Sequence, residues 1–246
     1  MSNHVVLITG SSRGIGSATA KIFASNNYNV VINYNNSAKE AFDLKEEIEK
    51  IYKVNVLCVK CNVSNELEVN SMVEKTIDTF GHIDVLVNNA GIAIDTTFED
   101  KTVENFRTIL DTNLIGTFIV SKYVGKHMLK NKKGAIINVS STNGIDTVYP
   151  ESLDYDASKA GVISLTKNLA LQYAPYIRVN AVAPGWVNTD MNKDLDQAFI
   201  DKENKKILLN RFANPEEIAK VIYFLATPDA SYINSEVIRI DGGFKC

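Results

Sequence analysis

Four consecutive apolar residues, Val5-Val6-Leu7-Ile8, run directly into Thr9-Gly10-Ser11-Ser12-Arg13-Gly14-Ile15-Gly16, and an amphipathic segment follows through about residue 24. A short run that is apolar on both faces suits the interior of a parallel sheet. Glycines at 10, 14 and 16 permit a tight turn, a close approach of backbone to a phosphate and close packing of helix on strand, and the helix amino terminus favours negative charge. Strand, glycine turn and helix in that order demand an α/β fold whose first turn faces an anion. The turn residues Gly10, Ser12, Arg13, Gly14, Ile15 and Gly16 are therefore candidate cofactor contacts.

The same alternation continues along the chain. A second strand at 29–32 ends at Asn33-Tyr34-Asn35-Asn36, and Ser37-Ala38-Lys39-Glu40 has the capping-box pattern of a helix running to about residue 52. A third strand ends at Cys61-Asn62-Val63, before a helix over about 66–79. The fourth, at 83–87, terminates in Asn88-Asn89-Ala90-Gly91, small and amide residues that leave room for a cofactor. A long helical stretch over about 103–129 carries Asn113 in its middle, a poor helix-interior residue, so either its amide bonds something specific or the helix is distorted there. Strands follow at 135–139 and 177–182, the latter closed by Pro184-Gly185. Asn214-Pro215-Glu216-Glu217 opens a capped helix, and a strand at 236–240 completes the sheet. Residues 191–209, polar with scattered apolar positions, read either as a mobile lid or as a plain surface helix. With neither linker nor repeat, residues 1–246 are expected to form one doubly wound Rossmann domain with a mostly parallel sheet.

Chemistry concentrates after the strand at 135–139. Ser140-Ser141 stands at its carboxyl end, where open α/β sheets hold ligands. Tyr155-Asp156-Ala157-Ser158-Lys159 begins the next helix, and residues four apart share one helical face. A phenol titrates at ~10, so ionising it near neutrality requires ~3 units, or roughly 4 kcal/mol, of anion stabilisation, and an ammonium supplies the right sign. At the second strand's end, where an acidic residue would bind a ribose 2′-hydroxyl, Asn33 and Tyr34 stand instead. With Arg13 in the glycine turn, the loss of a carboxylate and gain of a guanidinium favours a 2′-phosphate, hence NADP(H) over NAD(H).

Composition narrows the partners. A formal net charge of −3 over 246 residues, without a basic run interleaved with aromatics, argues against nucleic acid. His4, His82 and His127 lack ligand spacing, so no metal is expected. Cys58 and Cys61 form a C-x-x-C, but an offset of three along a strand puts them on opposite faces, as buried cysteines. An odd count of 3 cysteines suits a reducing compartment. No signal-peptide pattern and no apolar run of membrane-spanning length are present, so a cytoplasmic location is expected.

From Val5 to Gly243 these motifs resemble the short-chain dehydrogenase/reductase family: the glycine turn, Asn88-Asn89-Ala90-Gly91, Asn113, Ser141, Tyr155-x-x-x-Lys159 and Pro184-Gly185 stand in the family's order. Within it, Asn188-Thr189-Asp190-Met191, Arg211-Phe212-x-x-Pro215-Glu216 and Ile240-Asp241-Gly242-Gly243 look like bacterial 3-oxoacyl-ACP reductases. The resemblance implies that Tyr155 is the acid and base, Lys159 holds the nicotinamide ribose and lowers the tyrosine pKa, Ser141 bonds the carbonyl and Asn113 anchors a relay water. It further implies that Asn62 and Val63 lie at the adenine, that Asn89, Ala90, Gly91, Pro184 and Gly185 line the cofactor, that Thr189 and the backbone near Val187 hold the carboxamide, and that the protein is a homotetramer. Its substrate would be a carbonyl or alcohol, free or carrier-bound, with 3-oxoacyl thioesters first. A sugar, polyol or hydroxysteroid dehydrogenase is the alternative, and a catalytically silent nucleotide sensor stands behind both.

The chain departs from the resemblance in three places. Asn62 replaces a usual aspartate. The interval from Ser141 to Tyr155 is one residue longer, and it and the next position carry Glu151, Asp154 and Asp156, carboxylates that would oppose an anionic substrate at the entrance. Tyr176 stands where a basic carrier-docking residue is common, leaving Lys130, Lys132 and Lys133 as alternative docking charges.

Overall fold

The computed structural model describes residues 4–192 and 195–244. Its seven strands are β1 (Val5–Ile8), β2 (Asn29–Tyr34), β3 (Val56–Lys60), β4 (Val85–Asn88), β5 (Gly134–Val139), β6 (Ile177–Pro184) and β7 (Val237–Ile240). They form one sheet in the order β3-β2-β1-β4-β5-β6-β7, and every pairing between these strands is parallel. The intervening helices are α1 (Gly14–Ser25), α2 (Ala38–Tyr52), α3 (Glu66–Phe80), α4 (Val103–Leu110), α5 (Gly116–Asn131), α6 (Leu153–Tyr173), α7 (Gln197–Asn204) and α8 (Pro215–Ala226).

Period-two alternation divides the core. Val6 and Ile8 of β1 pack with Phe23, Ile48 and Ile222 on the face of α1, α2 and α8, while Val5 and Leu7 pack with Met72, Val124 and Leu169 on the face of α3, α5 and α6. Cys58 belongs to the first face and Cys61 to the second, as their offset requires, and burial pushes their thiols up to about 11 and about 12. Cys246 lies outside the described residues. The chain leaves β1 toward β2 and β3, then crosses back to place β4 on the other side of β1. The loops after β1 and β4 diverge at that reversal and open a crevice at the carboxyl edge.

Several local expectations need correction. Ser37 makes no side-chain bond to the start of α2, so its capping-box pattern is not used, whereas Glu217 does return to the Asn214 backbone N–H at 2.8 Å. β3 stops at Lys60, although the Cys61 N–H still donates to the Tyr34 carbonyl of β2 at 2.9 Å, and Asn62 and Val63 lie beyond the ladder. The long helix over 103–129 is interrupted: Asp111–Ile115 is a π-helical turn between α4 and α5, with Asn113 inside it. In the stretch at 191–209, a 3₁₀ turn (Asp190–Asn192) precedes α7, which Asp196 caps by accepting from the Phe199 N–H at 2.7 Å. Lys193 and Asp194 of that stretch lie outside the described residues.

Candidate active site

Gly10 and Gly14 both have positive φ, +59° and +56°, and a Cβ on Gly10 would stand 2.8 Å from the Ala90 Cα. A Cβ on Gly16 would meet the Gly10 carbonyl oxygen at 2.5 Å. The turn, a backbone cradle at the head of α1, is thus packed so closely on itself and on the end of β4 that only glycine fits these positions. Thr9, which the sequence does not mark as functional, binds it to the neighbouring strand end: its Oγ1 accepts from the N–H groups of Asn89 and Ala90, both at 3.0 Å. Asn89 answers through Nδ2, donating to the carbonyls of Thr9 at 3.0 Å and Gly10 at 2.8 Å. Thr189, from the loop after β6, reaches the cradle with its Cγ2 3.3 Å from where a Gly14 Cβ would be. Ser12 and Ile15 are partly buried in the turn, and Arg13 is exposed with its Nε 4.0 Å from Asp190 Oδ2.

Asn33 commits its amide to backbone groups. Its Oδ1 accepts from the Gly10 N–H at 3.0 Å and its Nδ2 donates to the Cys61 carbonyl at 3.0 Å, so the amide fastens the glycine turn to the end of β3. Tyr34, one residue on, keeps part of its surface open. The Asn62 Oδ1 is also committed, accepting from the Ser64 N–H at 3.1 Å and Oγ at 2.9 Å. With its oxygen engaged by Ser64, the Asn62 amide presents its NH₂ as the freer group toward an adenine. Val63 is buried against Gly116, where a Cβ would be 2.7 Å from its Cγ2.

The second half of the site gathers around α6. The Ser140 Oγ donates to the Lys159 carbonyl at 2.8 Å and draws the helix onto the end of β5. A Cβ on Gly144 would come within 2.6 Å of the Lys159 carbonyl carbon, so only glycine lets the loop pass so close. Gly144 is inconspicuous in the sequence because it acts through packing of loop on helix, and Ser140, placed by the sequence at the strand end with Ser141, faces α6. Lys159, 4% exposed, donates from Nζ to the Val139 carbonyl at 2.8 Å and sits 5.4 Å from the Tyr155 ring centre. The Ser141 Oγ donates to Asn143 Oδ1 and accepts the Asn143 N–H, both at 3.2 Å, and its hydroxyl stands near enough to the Tyr155 hydroxyl to favour the phenolate. Tyr155, Ser141 and Lys159 therefore share one enclosure. Asn113 borders it, with Oδ1 accepting from the Ile92 N–H at 2.9 Å and Nδ2 donating at 3.0 Å to both the Ile92 carbonyl and Ser158 Oγ. Both expectations for Asn113 hold together, since the π turn carries its amide to these partners.

Electrostatics in this enclosure run against the expected order. Burial pushes the Tyr155 hydroxyl up to about 12 despite the neighbouring Ser141 hydroxyl, with Asp156 and Asp95 adding to the rise. Burial likewise brings Lys159 down to about 8. Within the protein alone, desolvation outweighs the lysine's stabilisation of the phenolate.

The entrance is less acidic than its sequence suggests. Asp154 is fully buried and paired with Lys101 at 3.1 Å, and Asp156 accepts from Asn143 Nδ2 at 2.6 Å and the Tyr149 N–H at 3.2 Å. Only Glu151 of the three is exposed. Phe98, Ile145 and Val148, on the loops after β4 and β5, present 74%, 44% and 78% of their surface at this same edge. Lys130, Lys132 and Lys133 precede the amino end of β5, so within one chain they stand at the opposite edge of the sheet, Lys132 lying over Tyr176 and Lys133 reaching Asp84 at 3.4 Å. Gly185 passes Asp241, where a Cβ would be 2.9 Å from the Asp241 Cβ, after Pro184 has closed β6. The Val187 carbonyl accepts from Asn192 Nδ2 at 2.8 Å.

A family model described as enoyl-(acyl carrier protein) reductase matches residues 10–245. The chain belongs to the short-chain dehydrogenase/reductase family. It is an oxidoreductase of that family, and it is 43% identical to a Synechocystis protein named 3-oxoacyl-[acyl-carrier-protein] reductase, over 98% of this chain and 96% of the relative. A short-chain type dehydrogenase/reductase from Mycobacterium marinum superposes with a TM-score of 0.94 at 33% identity, covering 100% of this chain and 96% of that one. ElxO, solved with NADP bound, gives a TM-score of 0.90 at 36% identity, with 98% of each chain covered. The glycine cradle suits such a dinucleotide, because the turn ends at the amino terminus of α1, whose unpaired N–H groups favour a phosphate and whose first turn carries no acidic residue. Among the described residues no helix is long and apolar enough to cross a membrane.

Proposed function

We propose that the protein reduces 3-oxoacyl thioesters to 3-hydroxyacyl thioesters with NADPH. The observation that carries this reading is the convergence of Tyr155, Ser141 and Lys159 on the edge that also holds the glycine cradle. When bound, NADP(H) supplies the hydride. The Ser141 hydroxyl holds the substrate carbonyl oxygen beside the Tyr155 hydroxyl, which donates its proton to that oxygen as negative charge develops there. Tyr155 is reprotonated through Lys159, whose lowered pKa makes its Nζ a ready proton donor and acceptor. The Lys159 Nζ and Asn113 Oδ1 both lie 3.4 Å from the point a Gly91 Cβ would occupy, so one small polar space joins them, suited to a relay water.

Gly10, Gly14 and Gly16 would carry the pyrophosphate, with Asn89 and Thr9 holding the cradle rigid. Arg13, 61% exposed and held only loosely by Asp190, would meet a 2′-phosphate, which favours NADPH over NADH. The exposed apolar rim of Phe98, Ile145 and Val148 supports an acyl substrate over a sugar or polyol. The burial of Asp154 and the anchoring of Asp156 remove most of the repulsion an anionic carrier would meet. The name of the Synechocystis relative points the same way. A homotetramer accompanies the reading, and light scattering tests it.

The deciding experiment follows loss of reduced-nicotinamide absorbance with a 3-oxoacyl thioester, in parallel with NADPH and NADH. NADPH-dependent turnover is expected. Bound NADPH with no thioester turnover, alongside turnover of a sugar or steroid alcohol, would overturn the substrate assignment.

A further inference from the structure

Loop 92–101 has no regular secondary structure beyond a turn at 98–100, yet it walls the cleft between the ends of β4 and α6. Its anchors run to two places. Ile92 is held by Asn113, and the remainder is held by the first residues of α6 and the turn before it. Asp95 accepts from the Ser152 hydroxyl, and the Thr96 N–H donates to the Glu151 carbonyl at 3.2 Å. At the loop's end the Lys101 Nζ donates to the Ile94 carbonyl at 2.5 Å and to Asp154 Oδ1 at 3.1 Å. The pair is deeply enclosed, with side chains 4% and 0% exposed.

Asp154 Oδ1 also accepts the backbone N–H of Tyr155 at 3.0 Å. Among the described residues Asp154 Oδ2 accepts no hydrogen bond, so Lys101 is the one cation compensating a fully buried carboxylate. Such a pair is a costly way to gain stability, because desolvation offsets its attraction and an apolar pair of similar volume serves the fold as well. What it supplies is direction: one carboxylate oxygen fixes both the end of the cleft-wall loop and the residue that carries the phenol.

We propose that Lys101 and Asp154 are positioning residues, an internal clamp that sets the first turn of α6 and loop 92–101 so that the Tyr155 hydroxyl meets the substrate carbonyl. This rests on the role assigned to Tyr155. The clamp acts on the substrate side of the site. The glycine cradle is held separately by Thr9, Asn33 and Asn89, and Lys159 by the Val139 carbonyl, so cofactor affinity is expected to depend little on the clamp.

The test uses the full-length protein as K101M, D154N and the apolar double variant K101M/D154L, measuring kcat, KM for the thioester, the NADPH dissociation constant and the melting temperature. The single variants strand a buried charge and are expected to melt lower. The double variant restores melting to near the wild-type value but lacks both hydrogen bonds that aim Tyr155. Its kcat is expected to fall roughly ten- to hundredfold, as small misplacements of reacting groups do, with NADPH affinity unchanged within about twofold. A stable double variant with wild-type kcat would overturn the proposal, leaving the pair merely structural. Hydrogen exchange on the unaltered protein provides a second measurement, independent of whether any variant folds. The Tyr155 amide should be protected like the middle of α6, and exchange as fast as a frayed helix end would equally overturn the clamp. Y155F separates the two readings. An active Y155F removes the assigned role of Tyr155 itself, whereas an inactive Y155F beside a fully active double variant removes only the clamp.

Discussion

Lys159 donates its ammonium to the Val139 carbonyl at 2.8 Å, across the joint between the end of β5 and the face of α6 that carries Tyr155. That single bond holds a 4%-exposed cation, and burial brings its pKa down from 10.5 to about 8. A lysine whose folded pKa lies below its unfolded value makes stability rise with pH between those two values, because the unfolded chain binds the extra proton there. At neutral pH the cost of burying the charge is still present. Lys159→Met is therefore expected to raise the stability of the protein at pH 7, by on the order of 1–3 kcal/mol, while abolishing turnover. Denaturant melts at pH 7 and pH 10 check it, and the gain over wild type should shrink at the higher pH.

Gly91 is the residue whose absent side chain matters most to proton transfer. A Cβ there would sit at ordinary contact distance, 3.4 Å, from both Asn113 Oδ1 and Lys159 Nζ, so the backbone can accept it without shifting. Gly91→Ala should consequently fold and melt like the parent and bind NADPH, yet fill the space in which the proposed relay water would stand. A fall in kcat of about tenfold or more is expected, with an enlarged solvent isotope effect on kcat as the diagnostic. A shift in melting temperature without a change in kcat would locate the glycine's importance in packing instead.

Arg13 makes its prediction through exposure. It caps α1 with extended backbone and no side-chain cap bond, and among the described residues its guanidinium pairs only with the distant Asp190 carboxylate, 4.0 Å away. Removing a charge-assisted hydrogen bond to a phosphate costs ~1.5–3 kcal/mol. Arg13→Ala should thus lower kcat/KM for NADPH by roughly 10- to 100-fold and leave the NADH value within about twofold. An equal loss with both cofactors would place Arg13 in the architecture of the turn.

Much of this was readable in advance because the fold repeats one unit. The glycine turn, the strand ends and the four-residue spacing of Tyr155 and Lys159 follow from local geometry, and the structure brings them to one edge. What escaped the sequence depends on long-range partners. Asn33 and Asn62 look like free amides at strand ends, but one is consumed by Gly10 and Cys61, the other by Ser64. Asp154 looks like an entrance charge because Lys101, 53 residues earlier, cannot be matched to it from spacing. The histidines are likewise dispersed in sequence, yet His4 and His82 converge on Asp84.

That convergence gives the protein an acid-sensitive joint far from the cleft. Asp84 lies just before β4, at the amino edge of the sheet, with its side chain 14% exposed. Burial alone would raise its pKa, but the Val5 N–H at 2.9 Å, His4, His82 and Lys133 together hold the carboxyl below its ordinary value. Its backbone meanwhile pairs with both Val5 and Ala135, so the ionised side chain ties together the starts of β1, β4 and β5. A carboxyl depressed in the folded state contributes stability that is fully present above its unfolded pKa and is lost as pH falls through the folded value. Asp84→Asn keeps an acceptor for Val5 but loses the charge, and should cost about 1–2 kcal/mol at pH 7. Measured by denaturant melts, the gap between parent and variant should hold through neutral pH and close as the solution is taken below pH ~4. A gap that stays constant down to the acid unfolding of the parent would show that the carboxylate's charge does not hold this joint.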